Sequence, residues 1–313
     1  MQAINDLRWL LLAPPLLNPN HPRFVEAIVT FNADQMALIA PWLNTIAPDH
    51  LQAWLDTKPI GHRQRLGRYA ELLIEYFLRN GPTHQLLAAN LPIRADTASR
   101  RTKAQIDHTT VGEIDYLVRD NNDPPHVQRH WELAVKYFLC RDASDSSPAN
   151  FMGPDSVEVF EDKLVKLFDR QLTHTPPAPW DTLLWWRQAY TRGWIFYPQA
   201  QPNIQPDWLH PRHPRGVWLH HQSMNANLND QRFVVLDKQR WLARARCDEQ
   251  SGKSLSKGQL RDTISQWWCE DRPGQRWPSG ILVASLDDEG LEDQRLFIVP
   301  NHWGDPSWQI THG

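Results

Sequence analysis

The sequence predicts an α/β chain whose organising core lies in residues 62–199. There the elements run helix, strand, strand, strand, helix, strand. Three observations predict this. From Arg63 to Leu78, the residues Leu66, Tyr69, Ala70, Leu73 and Phe77 recur at spacings of three and four, the stripe of an amphipathic helix. Two segments, Gly112–Val118 and His130–Leu139, are rich in β-branched and aromatic residues and bounded by polar loops, as strands are. Charged side chains (Glu113, Asp115, Glu132 and Lys136) interrupt those otherwise apolar strands.

Taken in order, the first sixty residues read as short helices around apolar clusters at Leu7–Leu12, Met36–Leu43 and Leu51–Leu55. After the 63–78 helix, which also carries Glu71 and Glu75 one turn apart, Leu86–Ile93 reads as a strand, followed by the basic stretch Arg94–Lys103. Beyond the two charged strands, Gly153-Pro154-Asp155 predicts the start of a helix running to about Leu172, with a proline and an acid at its N-terminus. Lys163, Lys166 and Arg170 fall on one side of it, with Gln171 nearby. A Trp-rich helix over about Asp181–Tyr190 and a buried strand at Gly193–Tyr197 complete the core. Candidate strands in the last third are Val217–His220, Phe233–Leu236, Gly280–Ser285 and Arg295–Val299, with a helix around Leu260–Trp268. The chain thus divides into an N-terminal helical segment (1–61), the core (62–199) and a Trp-rich, β-leaning C-terminal extension (200–313).

The charged strand positions need a physical reason, because a buried charge is costly unless it is paired or ligates a metal. Strand alternation puts Glu113 and Asp115 on one face, and Glu132, Ala134 and Lys136 on one face. A hairpin centred near residue 124 or 125 would set Asp115 opposite Ala134, with Glu132 and Lys136 as diagonal neighbours roughly 7–8 Å away. The space over Ala134 suits a divalent cation held by carboxylate oxygens, beside a lysine that meets a phosphate or a water. A solvated hairpin face with a cross-strand ion pair accounts for the same spacing.

Composition narrows the classes. The chain has 313 residues and a formal charge of −3, so polyanion binding has to come from local patches. Such patches occur at Arg63, Arg65 and Arg68, at Arg100, Arg101 and Lys103, at Arg212 and Arg215, and at Lys238–Arg246, where Arg240 adjoins Trp241. An arginine beside a tryptophan can grip a phosphate backbone and stack a base. The three cysteines show neither metal-ligand spacing nor a disulfide framework. The N-terminus lacks a basic start and Pro14-Pro15 cut its apolar run, which makes a poor signal peptide and no membrane span, so a cytoplasmic protein is expected. Of sixteen tryptophans, twelve follow residue 179, and core packing is their simplest role. Cys247–Ser254 ends like a phosphate-binding loop but has Cys247 where the first glycine belongs.

The element order and the charged strands together resemble the PD-(D/E)XK nuclease superfamily over about residues 63–198. More closely, Gly67-Arg68-Tyr69-Ala70-Glu71, Gly112-Glu113-Ile114-Asp115 and Trp131-Glu132-Leu133-Ala134-Val135-Lys136 resemble a bacterial family, domain of unknown function 1853, over most of the chain. The resemblance implies a restriction-endonuclease-like αβββαβ core with a mixed sheet flanked by helices. It implies Mg²⁺ or Mn²⁺ as cofactor and DNA or RNA as partner. Asp115 would be the metal-binding aspartate and Lys136 the lysine that orients the attacking water or offsets phosphate charge. Glu71 would assist at the metal, and Lys163 or Gln171 would take the auxiliary role of the second core helix.

One position departs from that pattern. The superfamily's acid two residues before the lysine is Ala134 here. Glu132 lies on the same face one pleat further off, roughly 13 Å from Lys136 along an ideal strand. Glu132 is then a displaced ligand, or the site is degenerate, with Glu113 as another substitute. The expected function is a metal-dependent nuclease acting through Asp115, Glu132 and Lys136; the alternative is a non-catalytic nucleic-acid-binding or scaffold protein on the same fold.

Overall fold

The computed structural model describes residues 1–59, 61, 65–94, 110–181, 184–201, 203–247, 254–269 and 279–305. Among these residues four α-helices come first: α1 (Gln2–Leu12), α2 (Ala33–Thr45), α3 (Pro48–Asp56) and α4 (Leu66–Asn80). Their starts follow local chemistry. Asn32 and Gln35 close a reciprocal capping box on α2, and Pro48 opens α3 where a missing N–H costs nothing. The α4 stripe predicted from spacing is buried, with Tyr69, Ala70, Leu73 and Phe77 all inside.

The remaining elements are β1 (His84–Arg94), β2 (Thr110–Asp120), β3 (Val127–Cys140), β4 (Phe151–Met152), α5 (Phe160–Asp169), β5 (Leu184–Pro198), β6 (Arg215–His220), α6 (Met224–Asn227), β7 (Arg232–Val235), α7 (Lys257–Cys269), β8 (Ile281–Leu286) and β9 (Glu292–Val299). The nine strands form one mixed sheet in the order β1-β2-β3-β5-β6-β9-β8-β7, with β4 paired to β3. β1, β2 and β3 are antiparallel, β3-β5-β6-β9 are parallel, and β9-β8-β7 are antiparallel again. The C-terminal strands therefore extend the same sheet as the central ones. Successive β3 side chains serve opposite faces: Tyr137 and Leu139 pack toward Trp241, whereas Phe138 and Cys140 pack toward α5. The N-terminal helices cover the first face over Tyr116, Trp131 and Tyr190, and α7 covers Val217, Val283 and Ile298 on the other. Among the described residues no helix is long and apolar enough to cross a membrane.

Two expected elements differ. The Trp-rich segment is not a helix: from Leu184 it is the first half of the fifteen-residue strand β5, which pairs in parallel with β3 from Val127 to Leu139. Trp185, Trp186, Tyr190 and Thr191 favour a pleated backbone, and thirteen consecutive cross-strand pairs override any short helical spacing. The second core helix begins at Phe160 rather than at Gly153. The Asp155 carboxylate accepts hydrogen bonds from the Val157 and Glu158 amides, and Ser156 takes a φ of 60°, so the chain turns before it coils.

A buried polar network joins the chain's two ends to this frame. Asp6 on α1 accepts from the Ala243 amide at 3.0 Å and from the Tyr69 hydroxyl at 2.9 Å. Arg295 forms a two-pronged pair with Glu292 at 2.9 and 2.7 Å and donates to the carbonyls of Trp241 and Ala243. The Trp241–Ala245 segment is thereby held from both sides.

β3 and β5 approach so closely that a Cβ on Gly193 would lie 1.9 Å from the Lys136 carbonyl oxygen, and Gly193 has a φ of 155°. Only glycine fits there. Gly193→Ala is expected to lower stability by about 3 kcal/mol or more, as backbone clashes in a packed sheet do. Chemical denaturation reads this directly; an unchanged midpoint would show that the two strands separate at no cost.

Candidate functional site

The site forms where the sheet forks. β2 and β3 pair as Val118↔Arg129, Leu117↔His130 and Tyr116↔Trp131, and there the ladder ends. Beyond it β2 continues with β1, while β3 continues with β5. This corrects the register expected from the sequence: continuing the pairing sets Glu132, not Ala134, across from Asp115. The turn is the cause. Asp120 accepts the Asn122 amide through its carboxylate and the Asp123 amide through its carbonyl, and Arg129 grips Asp123 at 2.8 and 2.9 Å. The hairpin is thus centred one residue earlier, which slides the partner by two.

At the fork the two carboxylates replace lost backbone partners. The Leu133 amide donates to Asp115 Oδ2 at 2.8 Å, and the Asp115 amide points at Glu132 Oε1 at 3.4 Å. Glu132 is fully buried, with Gln171 Nε2 donating to Oε2 at 3.0 Å and His130 Nε2 2.7 Å from Oε1. Burial pushes the Glu132 carboxyl up to about 8, and burial together with the neighbouring Glu132 and Glu71 charges holds Asp115 well above the usual carboxylate range. Burial also pulls His130 down to about 4, so its ring is neutral at pH 7. The His130 Nδ1 has no hydrogen-bond partner among the described residues. His130 therefore orients Glu132 rather than neutralising it.

Glu71 and Glu113 stand beside this pair. Arg68 binds Glu71, reaches Glu113 at 3.6 Å and also donates to Asn90, which sits at a φ of 54°. Burial raises the Glu71 pKa against the pull of Arg68. The Tyr116 hydroxyl donates to the Glu71 carbonyl at 2.6 Å, tying α4 to the fork.

Lys136 follows on β3 and lines a cavity of about 150 Å³ with Ala134, Lys163, Lys166, Gln171 and Thr191. Burial, reinforced by Lys163 and Lys166 and opposed by Glu158, lowers its pKa. Gln171 belongs to both places, since it also holds Glu132. The structure thus gathers Asp115, Glu132, Gln171, Lys136 and Lys163 around one stretch of β3, with Glu71 and Glu113 at its margin.

Asp115 and Glu132 are a buried pair of carboxyl groups, the hard oxygen donors that could hold Mg²⁺ or Mn²⁺. Such ions are commonly held by one or two carboxylates, with waters and substrate phosphates completing the shell. Among the described residues no group of three or more His, Cys, Asp or Glu side chains converges as a ready cage. Asp115 and Glu132 would supply the carboxylates, with Glu71 near enough for its charge to raise both of their pKa values.

Among the described residues, those expected to grip nucleic acid are dispersed. Arg65 is exposed just before α4, and Arg68 is engaged in the acid cluster. Trp241 is 8 % exposed, packs on Tyr137 and Phe297, and donates its indole N–H to the Leu236 carbonyl, so its ring has no open face for a base. Its neighbour Arg240 lies in a short turn after β7. Arg63, Arg100, Arg101 and Lys103 lie outside the described residues. Sequence reasoning gave Asn90, Tyr116 and Thr191 no role. None carries a charge or a motif, and each acts through contacts distant in sequence.

Raised carboxyl pKa values have a stability consequence. A group whose folded pKa exceeds its unfolded one stabilises the fold below the unfolded pKa, and that contribution disappears as pH rises through the folded pKa. For Glu132 the loss runs from about 4.5 to about 8. In metal-free protein, Glu132→Gln is expected to remove this pH dependence and to raise stability at pH 9 relative to the unsubstituted chain by about 1–3 kcal/mol. Denaturation midpoints at pH 5 and pH 9 check it; parallel pH profiles for the two proteins would refute it.

The chain matches no curated protein and no solved structure. A family model described as a domain of unknown function (DUF1853) matches residues 5–299. The match spans nearly all of the chain, including every residue of the fork, and the protein belongs to this family.

Proposed function

We propose that this protein is a metal-dependent nuclease, hydrolysing phosphodiester bonds in DNA or RNA on a restriction-endonuclease-like αβββαβ core formed by α4, β1, β2, β3, α5 and β5. One observation carries the reading: Glu132 stands across from Asp115 at the fork, with its Oε1 3.4 Å from the Asp115 amide. The acid absent at position 134 has a substitute on the neighbouring strand's partner position, so the displacement along β3 is offset by the register.

Asp115 and Glu132 would hold Mg²⁺ or Mn²⁺, which supplies Lewis acidity at the scissile phosphate and lowers the pKa of a bound water. Gln171 and His130 keep the Glu132 carboxylate oriented. Lys136 offers positive charge to the phosphate from a half-buried position, where a charge acts more strongly than in water. Arg68 restrains Glu71 and Glu113, limiting the negative field that an incoming phosphate meets.

A second reading has its own support. Both Glu132 oxygens already accept hydrogen bonds, from the Asp115 amide and from Gln171, and Ala134 brings no acid, which suits a fold retained for binding nucleic acid without cutting it. A cleavage assay separates the two, using labelled single- and double-stranded DNA and RNA with Mg²⁺, Mn²⁺ or EDTA. The nuclease reading predicts metal-dependent cutting that falls by about 10²-fold or more in Asp115→Ala and in Lys136→Ala, the usual effect of removing an electrostatic stabiliser. Folded protein that cuts none of these substrates would leave the binding reading.

A further inference from the structure

The cavity beside the acid pair has a chemistry of its own. Lys136, Lys163 and Lys166 line it, together with the neutral polar side chains of Gln171 and Thr191, and no carboxylate is among its lining residues. Its back wall is apolar and closed by buried side chains: Leu16 and Leu17 from the N-terminal segment, and Phe160, Leu164 and Leu167 from α5. Three lysines around one small space repel each other. Lys163 is relieved by Glu158 at 2.7 Å, whereas the Lys136 ammonium feels Glu158 only through longer-range attraction and makes no hydrogen bond or ion pair among the described residues. A half-buried ammonium without a partner is costly, and an anion removes the cost.

Size and charge define that anion. A cavity of about 150 Å³ admits one compact guest of roughly benzene size. That is room for a phosphate group and not for a whole nucleotide. Lysine ammoniums are compact point charges suited to phosphate oxygens, and three of them match a dianionic monoester better than a singly charged diester. The closed back wall also stops a strand from passing through.

We propose that this pocket binds the terminal phosphate of a nucleic-acid strand through Lys163 and Lys166, with Lys136 shared between that phosphate and the scissile one. The identity of the strand rests on the nuclease reading above. Gln171, which lines the pocket, donates to Glu132, so a strand anchored here would be cut close to its end. Lys163 exchanges Glu158 for the phosphate when the end is bound.

Equilibrium binding to the full chain, in EDTA so that nothing is cut, tests the proposal. The probes are short oligonucleotides with a 5′-phosphate, a 3′-phosphate or hydroxyls at both ends, with inorganic phosphate as competitor. One phosphorylated end is expected to bind about tenfold tighter than hydroxyl ends, the gain of one charge-assisted contact set, and inorganic phosphate should compete it away. Lys163→Ala and Lys166→Ala should each erase most of that preference while unfolding midpoints stay unchanged. Glu158→Gln should strengthen it, an effect that loss of a merely structural ion pair would not produce. Equal affinity for phosphate and hydroxyl ends overturns the proposal, as does a preference that survives the double lysine variant. Competition by inorganic phosphate without any end preference overturns the assignment to strand ends. The two readings fail separately: an end preference in a protein that cuts nothing retains the pocket and removes the nuclease, and cutting without end preference does the reverse.

Discussion

Where β2 and β3 part, backbone hydrogen bonding has to be completed by something other than a ladder. Buried amides left without acceptors would each cost the fold about 1–3 kcal/mol. Asp115 and Glu132 meet that need: each carboxylate faces an amide of the other strand, Leu133 and Asp115 respectively. The same contacts that satisfy the fork force two acids side by side. Gln171, His130, Arg68 and Tyr116 then follow as the groups that orient, screen or anchor this arrangement.

A purely structural solution would not call for two buried carboxyl groups. Neutral amides could accept the same backbone hydrogen bonds, whereas the carboxyls used here are pushed up, first by burial and then by neighbouring acid charges. A site whose free form is electrostatically unfavourable is poised to gain from a cation, and binding such an ion releases protons. Lysines on the far side of Gln171 repeat the pattern with the opposite sign, and Lys136 among them has no ion-pair or hydrogen-bond partner for its ammonium among the described residues. Adjacent unmet demands for a cation and for an anion fit a metal and a phosphate as joint occupants.

Much of this was legible in the sequence because it rests on short-range periodicity. The α4 stripe, the charged strands β2 and β3, and the four C-terminal strands near Val217, Phe233, Gly280 and Arg295 all show it. What escaped depends on contacts remote along the chain. Leu184–Tyr190 fits a helix in a short window, and only pairing with β3 along its whole length makes it a strand. The hairpin register turned on Asp120 and Arg129 drawing the turn in by one residue, a side-chain effect invisible to alternation. Trp241 beside Arg240 read as a surface grip, yet Arg295 and Tyr137 bind its carbonyl inside the core. Glu132 was legible as a diagonal neighbour of Asp115; that the two stand directly opposite follows from the register and so was hidden with it.

The central claim is that Asp115 and Glu132 act as one ion-binding pair. A double-mutant cycle on Mn²⁺ affinity, with Asp115→Asn, Glu132→Gln and both together, addresses it most directly. Shared coordination predicts that each single change weakens binding, and that the double variant binds hardly worse than the weaker single, a coupling of about 1 kcal/mol or more. Losses that simply add, or Mn²⁺ affinity untouched by Glu132→Gln, would contradict the account.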